Sequence, residues 1–138
     1  MNKRLSKKKK GFDLLRNHAH FIEKATLGSI TFTDIDEVGT FYVYMGEIGA
    51  PHFHIQFPQT GLNVSIMTNE PKYYDHTKYN WRLNDNQKVE LQEYLLSSNT
   101  RMPDKTIWEC IAMVWNIDYY HEDIPADENN QPDYTKLT

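Results

Sequence analysis

The chain has 138 residues, 39% of them hydrophobic and 13% aromatic, with a net charge of −4. That length suits one domain with a real core, and no apolar run reaches the length of a membrane span. The single cysteine, Cys110, excludes an internal disulfide, and no apolar signal-peptide core follows the basic start, so a cytoplasmic protein is expected.

Residues 1–10 carry Lys3, Arg4, Lys7, Lys8, Lys9 and Lys10 without an acid. Such a run reads as a disordered solubilising arm. It is also where nucleic acid could be met, because clustered lysines release counterions from phosphate. From Gly11 to Leu27 the apolar residues Phe12, Leu15, Ala19 and Ile22 recur at three- and four-residue steps. The spacing predicts a helix ended by Gly28. His18 and His20, two positions apart on it, would diverge and not share an ion.

Strands follow. Ile30 and Phe32 alternate over Ser29 to Thr33, and Phe41, Val43 and Met45 alternate with Tyr42 and Tyr44. His52 to Phe57 is a third strand, and Leu62, Val64 and Ile66 mark a fourth. The short connections predict antiparallel hairpins. Asn69 to Leu83 mixes Tyr73, Tyr74, Tyr79 and Trp81 with Lys72, Lys78 and Arg82. An extra hairpin covering the sheet edge is expected there, in preference to a stacking surface for single-stranded nucleic acid.

Two helices close the domain. Asn84 with Gln87, and Thr106 with Glu109, have capping-box spacing. Val89, Leu91, Tyr94, Leu95 and Leu96 form the apolar side of the first. The second, with Ile107, Trp108, Ile111, Ala112, Val114 and Trp115, should be the most buried. The predicted fold is α+β: an antiparallel sheet of four or five strands with helices packed on one face, spanning residues 11–120. Residues 121–138, rich in Asp and Glu, read as a mobile acidic tail.

Chemistry concentrates in Ala50-Pro51-His52-Phe53-His54-Ile55-Gln56-Phe57. Alternation puts Phe53, Ile55 and Phe57 on one face and His52, His54 and Gln56 on the other. Two histidines at i and i+2 on one strand face can reach the same metal ion, and a catalytic zinc site takes three protein ligands. Glu47, Asp75, His76 and His121 are the residues that could complete such a set around a divalent metal, and spacing does not choose among them. Gly46 and the histidine pair also match the opening of the first cupin motif, but the acid that should follow is missing and no second motif appears.

His52-Phe53-His54-Ile55-Gln56 resembles the histidine-triad motif in its glutamine-ending form. The resemblance implies a nucleotidyl hydrolase or transferase with His54 as the nucleophile and His52 and Gln56 in support. From Thr40 to Trp115 the chain resembles a second family, the domain-of-unknown-function family numbered 4160. The carriers are Ala50-Pro51-His52-Phe53-His54-Ile55, the hairpin to Val64-Ser65-Ile66, the polar-aromatic segment, the helix and the later tryptophan. These small bacterial proteins show Pro-Pro-His-Phe-His, with Ala50 standing here for the first proline. Members are often encoded in toxin–antitoxin-like gene pairs, which implies a small regulatory protein with a protein partner. The residues put such a binding or regulatory module, working through the polar strand face, ahead of a histidine-triad enzyme or a metal-dependent hydrolase, because neither enzyme has its partners fixed by spacing.

Overall fold

The structure is a computed structural model that describes residues 24–47, 49–76, 80–118 and 121–138. The basic run 1–10 and residues 11–23 of the predicted helix, with His18 and His20, lie outside the described residues.

Four strands, β1 (Lys24–Phe32), β2 (Glu37–Tyr44), β3 (His52–Phe57) and β4 (Leu62–Met67), lie side by side in chain order. Every neighbouring pair is antiparallel, as short connections require. One face carries Phe32, Phe41, Val43, Phe53, Ile55, Phe57, Val64 and Ile66, all buried in a single core. Each such side chain contributes roughly 1.5–3 kcal/mol through removal from water. The other face is polar, and Tyr42, His54 and Ser65 form one row across β2, β3 and β4.

The predicted helix does not reach Leu27. Lys24 to Leu27 belong to β1, where Lys24, Ala25 and Thr26 pair with Tyr44, Val43 and Tyr42. Gly28 is not a helix stop. It sits with φ of +135° at a break in register between Thr26 and Gly28. A bulge of this kind adds one residue to the strand. Ala25 and Leu27 then share the partly buried side with Ile30 and the core residue Phe32, although strict alternation would separate the two pairs. A helix-like spacing upstream therefore runs directly into a bulged strand.

Two α-helices follow, α1 (Asp85–Leu96) and α2 (Ile107–Ile117). Both capping boxes form, Asn84 with Gln87 and Thr106 with Glu109. In α1 the buried residues are Gln87, Leu91 and Leu95, while Val89 and Leu96, expected on the apolar side, are 44% and 51% exposed. Tyr94 lies over Phe41 with ring centroids 5.0 Å apart. Helix α2 is the more buried, as expected, and the indole of Trp108 donates to the carbonyl of Thr68 at 3.0 Å.

Asn69 to Leu83 forms no hairpin of its own among the described residues. It covers the edge of β4 through one bridge, Ile66 to Tyr73, and backbone bonds from Tyr74 to Ser65 and from Trp81 to Asn63. Its described rings are already engaged. Trp81 packs edge-on against Phe57 at 5.2 Å, and the Arg82 guanidinium lies 4.1 Å over the Tyr73 ring.

The acidic stretch 121–138, expected as a mobile tail, is packed on the core. Tyr134 is 0% exposed and Leu137 1%, and Ile124 is buried beside them. Tyr134 meets Phe53 edge-on at 6.0 Å, and its hydroxyl donates to the carbonyls of Met67 and Thr68 at 2.8 and 3.1 Å. Glu122, Asp127, Glu128 and Asp133 are exposed while three spaced apolar residues supply the anchorage, so a low average hydrophobicity concealed the docking. The domain accordingly extends through this segment. Among the described residues, no helix is long and apolar enough to cross a membrane.

Candidate metal centre

The strand alternation read from the sequence holds: Phe53, Ile55 and Phe57 enter the core while His52 and His54 point to the opposite side. That side is covered at this end, and His52 and His54 are 1% and 4% exposed. The Tyr74 ring lies 4.1 Å from that of His52 and 4.8 Å from that of His76. Tyr44 meets His54 edge-on at 4.6 Å, and Trp115, from the end of α2, comes within 5.5 Å of His52. A histidine pair at a half-open sheet surface has become a buried pair under a roof of aromatic rings.

Two further residues converge on it. The loop between β2 and β3 delivers Glu47, and the segment along β4 delivers His76. Oε2 of Glu47 lies 3.0 Å from Nε2 of His52 and 3.2 Å from Nε2 of His54, and its Oε1 lies 3.2 Å from Nε2 of His76. No two of the four ligand atoms are more than 4.8 Å apart. Bonds of about 2.0–2.1 Å to one ion would set tetrahedral ligands about 3.3 Å apart. A contraction of roughly 1 to 2 Å in the widest separation therefore closes the set around a cation.

The outer ring nitrogens fix how these imidazoles are protonated. Nδ1 of His52 faces the carbonyl of Ala50 at 2.7 Å, and Nδ1 of His76 faces the carbonyl of Tyr74 at 3.2 Å. A carbonyl only accepts, so both Nδ1 atoms carry the hydrogen. In the neutral rings both Nε2 atoms are then bare lone pairs directed at a carboxylate. His54 differs: its Nε2 is hydrogen-bonded to Oε2 of Glu47 at 3.2 Å and carries the hydrogen there, while its Nδ1, 3.0 Å from the Ser65 hydroxyl, accepts. Nε2 of His52, although 3.0 Å from Glu47, is out of line for a hydrogen bond and has no other partner. Lone pairs and a carboxylate gathered at one point repel unless a cation stands among them. Outer nitrogens held by carbonyls or hydroxyls are the usual support for metal-binding histidines.

Burial raises the Glu47 carboxyl, and only with the rings of His52 and His54 protonated would their hydrogen bonds and charges outweigh it and hold the group well below the usual range. Burial lowers His54, opposed by Glu47 and assisted by repulsion from His52 and His76. The loop is pinned from behind, since the amide of Gly46 donates to the buried carboxylate of Asp118 just beyond α2. Gly49, at φ of +133°, lies where a β-carbon would collide with the Tyr74 hydroxyl.

The remaining sequence candidates fall elsewhere. Asp75 is adjacent to His76 but forms a two-pronged pair with Arg82 at 2.7 and 2.8 Å and accepts from Asn80 at 3.1 Å. It clips the loop and does not join the cluster. His121 stacks on Trp115 at 3.5 Å with its Nδ1 2.8 Å from that residue's carbonyl, and its Nε2 stands 3.6 Å from Asp118. Gln56 lies one row away, donating to the Tyr44 hydroxyl and accepting from Lys24. Ser65 and Tyr74, which hold His54 and His76, were not singled out by sequence. The only hint was their place in the β4 strand and the aromatic segment.

Comparison with known proteins adds no relative: no family model, curated protein or solved structure matches the chain.

Proposed function

We propose that the chain is a metal-binding module holding one divalent transition ion on Nε2 of His52, His54 and His76, with Glu47 as the fourth ligand. The observation that supports it is the commitment of the outer nitrogens of His52 and His76 to carbonyls, which aims bare lone pairs at one carboxylate. Three imidazoles, one carboxylate and no thiolate suit Zn²⁺, Co²⁺ or Ni²⁺, and suit neither the softer Cu⁺ nor the harder Ca²⁺. On this reading the ion orders the surface around Glu47 and His76 that a protein partner would meet. This agrees with the regulatory role that the family resemblance implies, and the lysines of the basic run 1–10 would be the charges to meet phosphate.

Titration with Co²⁺, followed by its visible absorption bands, tests the centre. The bands should saturate at one equivalent and be lost or strongly altered in His52→Ala, His54→Ala and His76→Ala. A control, Asp75→Asn, should keep a one-equivalent endpoint. Absence of the bands in the unsubstituted protein, with Zn²⁺ and Ni²⁺ also failing to bind, would overturn the proposal.

The reach of Glu47 supports a second reading, metal-dependent hydrolysis. Its carboxylate touches all three ring nitrogens. An ion held by the three histidines would supply an activated water, and Glu47 would be the residue to take its proton. Glu47→Gln separates the readings: loss of metal marks a ligand, and retained metal with lost hydrolysis marks a base.

A further inference from the structure

Two of the four cluster residues, Glu47 and His76, lie outside the strands, and the means by which His76 is held is unexpected. His76 follows the stretch 71–74 along the outer edge of β4. That stretch is bonded on both sides. Inward, the amide of Met67 donates to Lys72 and the amide of Tyr74 to Ser65, both at 2.9 Å. Outward, the amide of Tyr73 donates to Thr138 at 3.1 Å, and the amide of Thr138 donates back to Pro71 at 3.2 Å. Residues 133–138 therefore act as a second rail, outside the first.

The rail is itself fixed to the core. Leu137 and Tyr134 are buried, the Tyr134 hydroxyl reaches the carbonyls of Met67 and Thr68, and the Tyr134 amide donates to Gln92 of α1 at 2.9 Å. From the rail the bonds continue to the cluster. Tyr74 packs against both His52 and His76, and its carbonyl faces Nδ1 of His76 and accepts from the His76 amide at 3.0 Å. A contiguous set of bonds thus joins Thr138 to the ring of His76.

We propose that residues 133–138 are a positioning element for the metal centre, clamping the 71–76 segment so that His76 is presented as the third imidazole. The proposal rests on the metal-centre reading for its consequence, although the clamp can be tested without metal. When the clamp is loosened, His76 must be ordered at the moment of binding, and the cost of that ordering comes out of the affinity. His52 and His54 are held by the pairing of β3 with β2 and β4, and the rail meets that strand only through the ring contact of Tyr134 with Phe53.

Leu137→Ala removes the buried anchor, and Tyr134→Phe, which removes only a hydroxyl, is the gentler variant should the first fail to fold. Co²⁺ titration should show affinity weakened by about tenfold in Leu137→Ala, equivalent to about 1.4 kcal/mol, and less in Tyr134→Phe. The absorption bands should shift toward those of His76→Ala. Adding Leu137→Ala to His76→Ala should weaken binding little further, because both changes act on the same ligand. In the metal-free protein, amide hydrogen exchange should quicken at Tyr73, Tyr74 and His76 and stay unchanged at His54. Unaltered exchange in 71–76 in both variants would overturn the clamp, as would a loss of affinity that adds in full to that of His76→Ala. If the unsubstituted protein takes no Co²⁺, the metal-centre reading fails by itself, and the exchange measurement still decides whether the clamp exists.

Discussion

Nε2 of His52 stands 3.0 Å from the carboxylate of Glu47 while Nδ1 of the same ring faces the carbonyl of Ala50 at 2.7 Å. The second contact decides the meaning of the first. With the hydrogen committed to Ala50, the inward nitrogen is a bare lone pair beside an anion, an arrangement that a bound cation satisfies. His52 thereby joins the polar face of β3 to the chemistry of the cluster, while Phe53, the next residue, turns into the core.

Phe53 is fully buried, stacked with Phe41 at 6.1 Å and met edge-on by Tyr134. Phe53→Ala should destabilise the fold by about 3–5 kcal/mol. Urea unfolding measures this. A change under about 1 kcal/mol would show that the β3 core face is not packed as described.

Gly28 combines a φ of +135° with the Tyr94 hydroxyl lying where a β-carbon would project. Gly28→Ala should cost more than about 1 kcal/mol, because strain and steric conflict act together. Combining it with Tyr94→Phe, which removes the conflicting oxygen, should recover part of the loss. Thermal melts of the single and double variants check both statements.

Asp34 accepts from the Asn84 side chain at 2.7 Å and from Gln87, tying the β1–β2 turn to the start of α1. The Asn84 bond, with Gln87 assisting against some desolvation, holds the Asp34 carboxyl below its ordinary value. A group lowered in the folded state contributes stability that is present above its unfolded value, near about pH 3.9, and is lost as pH falls below it. The group is fully exposed, so the effect is small. Asp34→Asn should flatten the fall in melting temperature between about pH 4 and pH 3 and leave stability at neutral pH little changed. An identical acid profile in the two proteins would remove Asp34 from this role.

The parts of the fold legible in the sequence were those set by local rules. Alternation alone placed His52, His54 and Gln56 opposite Phe53, Ile55 and Phe57, and the spacing of Asn84 to Gln87 and Thr106 to Glu109 located both helix starts. Gly28 misled because a helix stop and a bulge both call for a positive φ, and only pairing with β2 tells them apart. The segment 121–138 misled because its average is acidic and polar, whereas Ile124, Tyr134 and Leu137 are enough to anchor it. In the cluster, His52 and His54 were legible together as one strand face. Glu47 and His76 were only two of four possible partners, since their approach depends on a loop and an edge segment that meet in three dimensions. Asp75, next to His76 in sequence, belongs to Arg82 instead.

Zinc content after loading and exhaustive dialysis, measured by elemental analysis on the unsubstituted protein and on His54→Ala, tests the central claim most directly. The centre predicts one zinc per chain in the first and a small fraction of that in the second, with both proteins folded by circular dichroism. A folded, unsubstituted protein that retains no zinc, or a His54→Ala variant that retains a full equivalent, would contradict it.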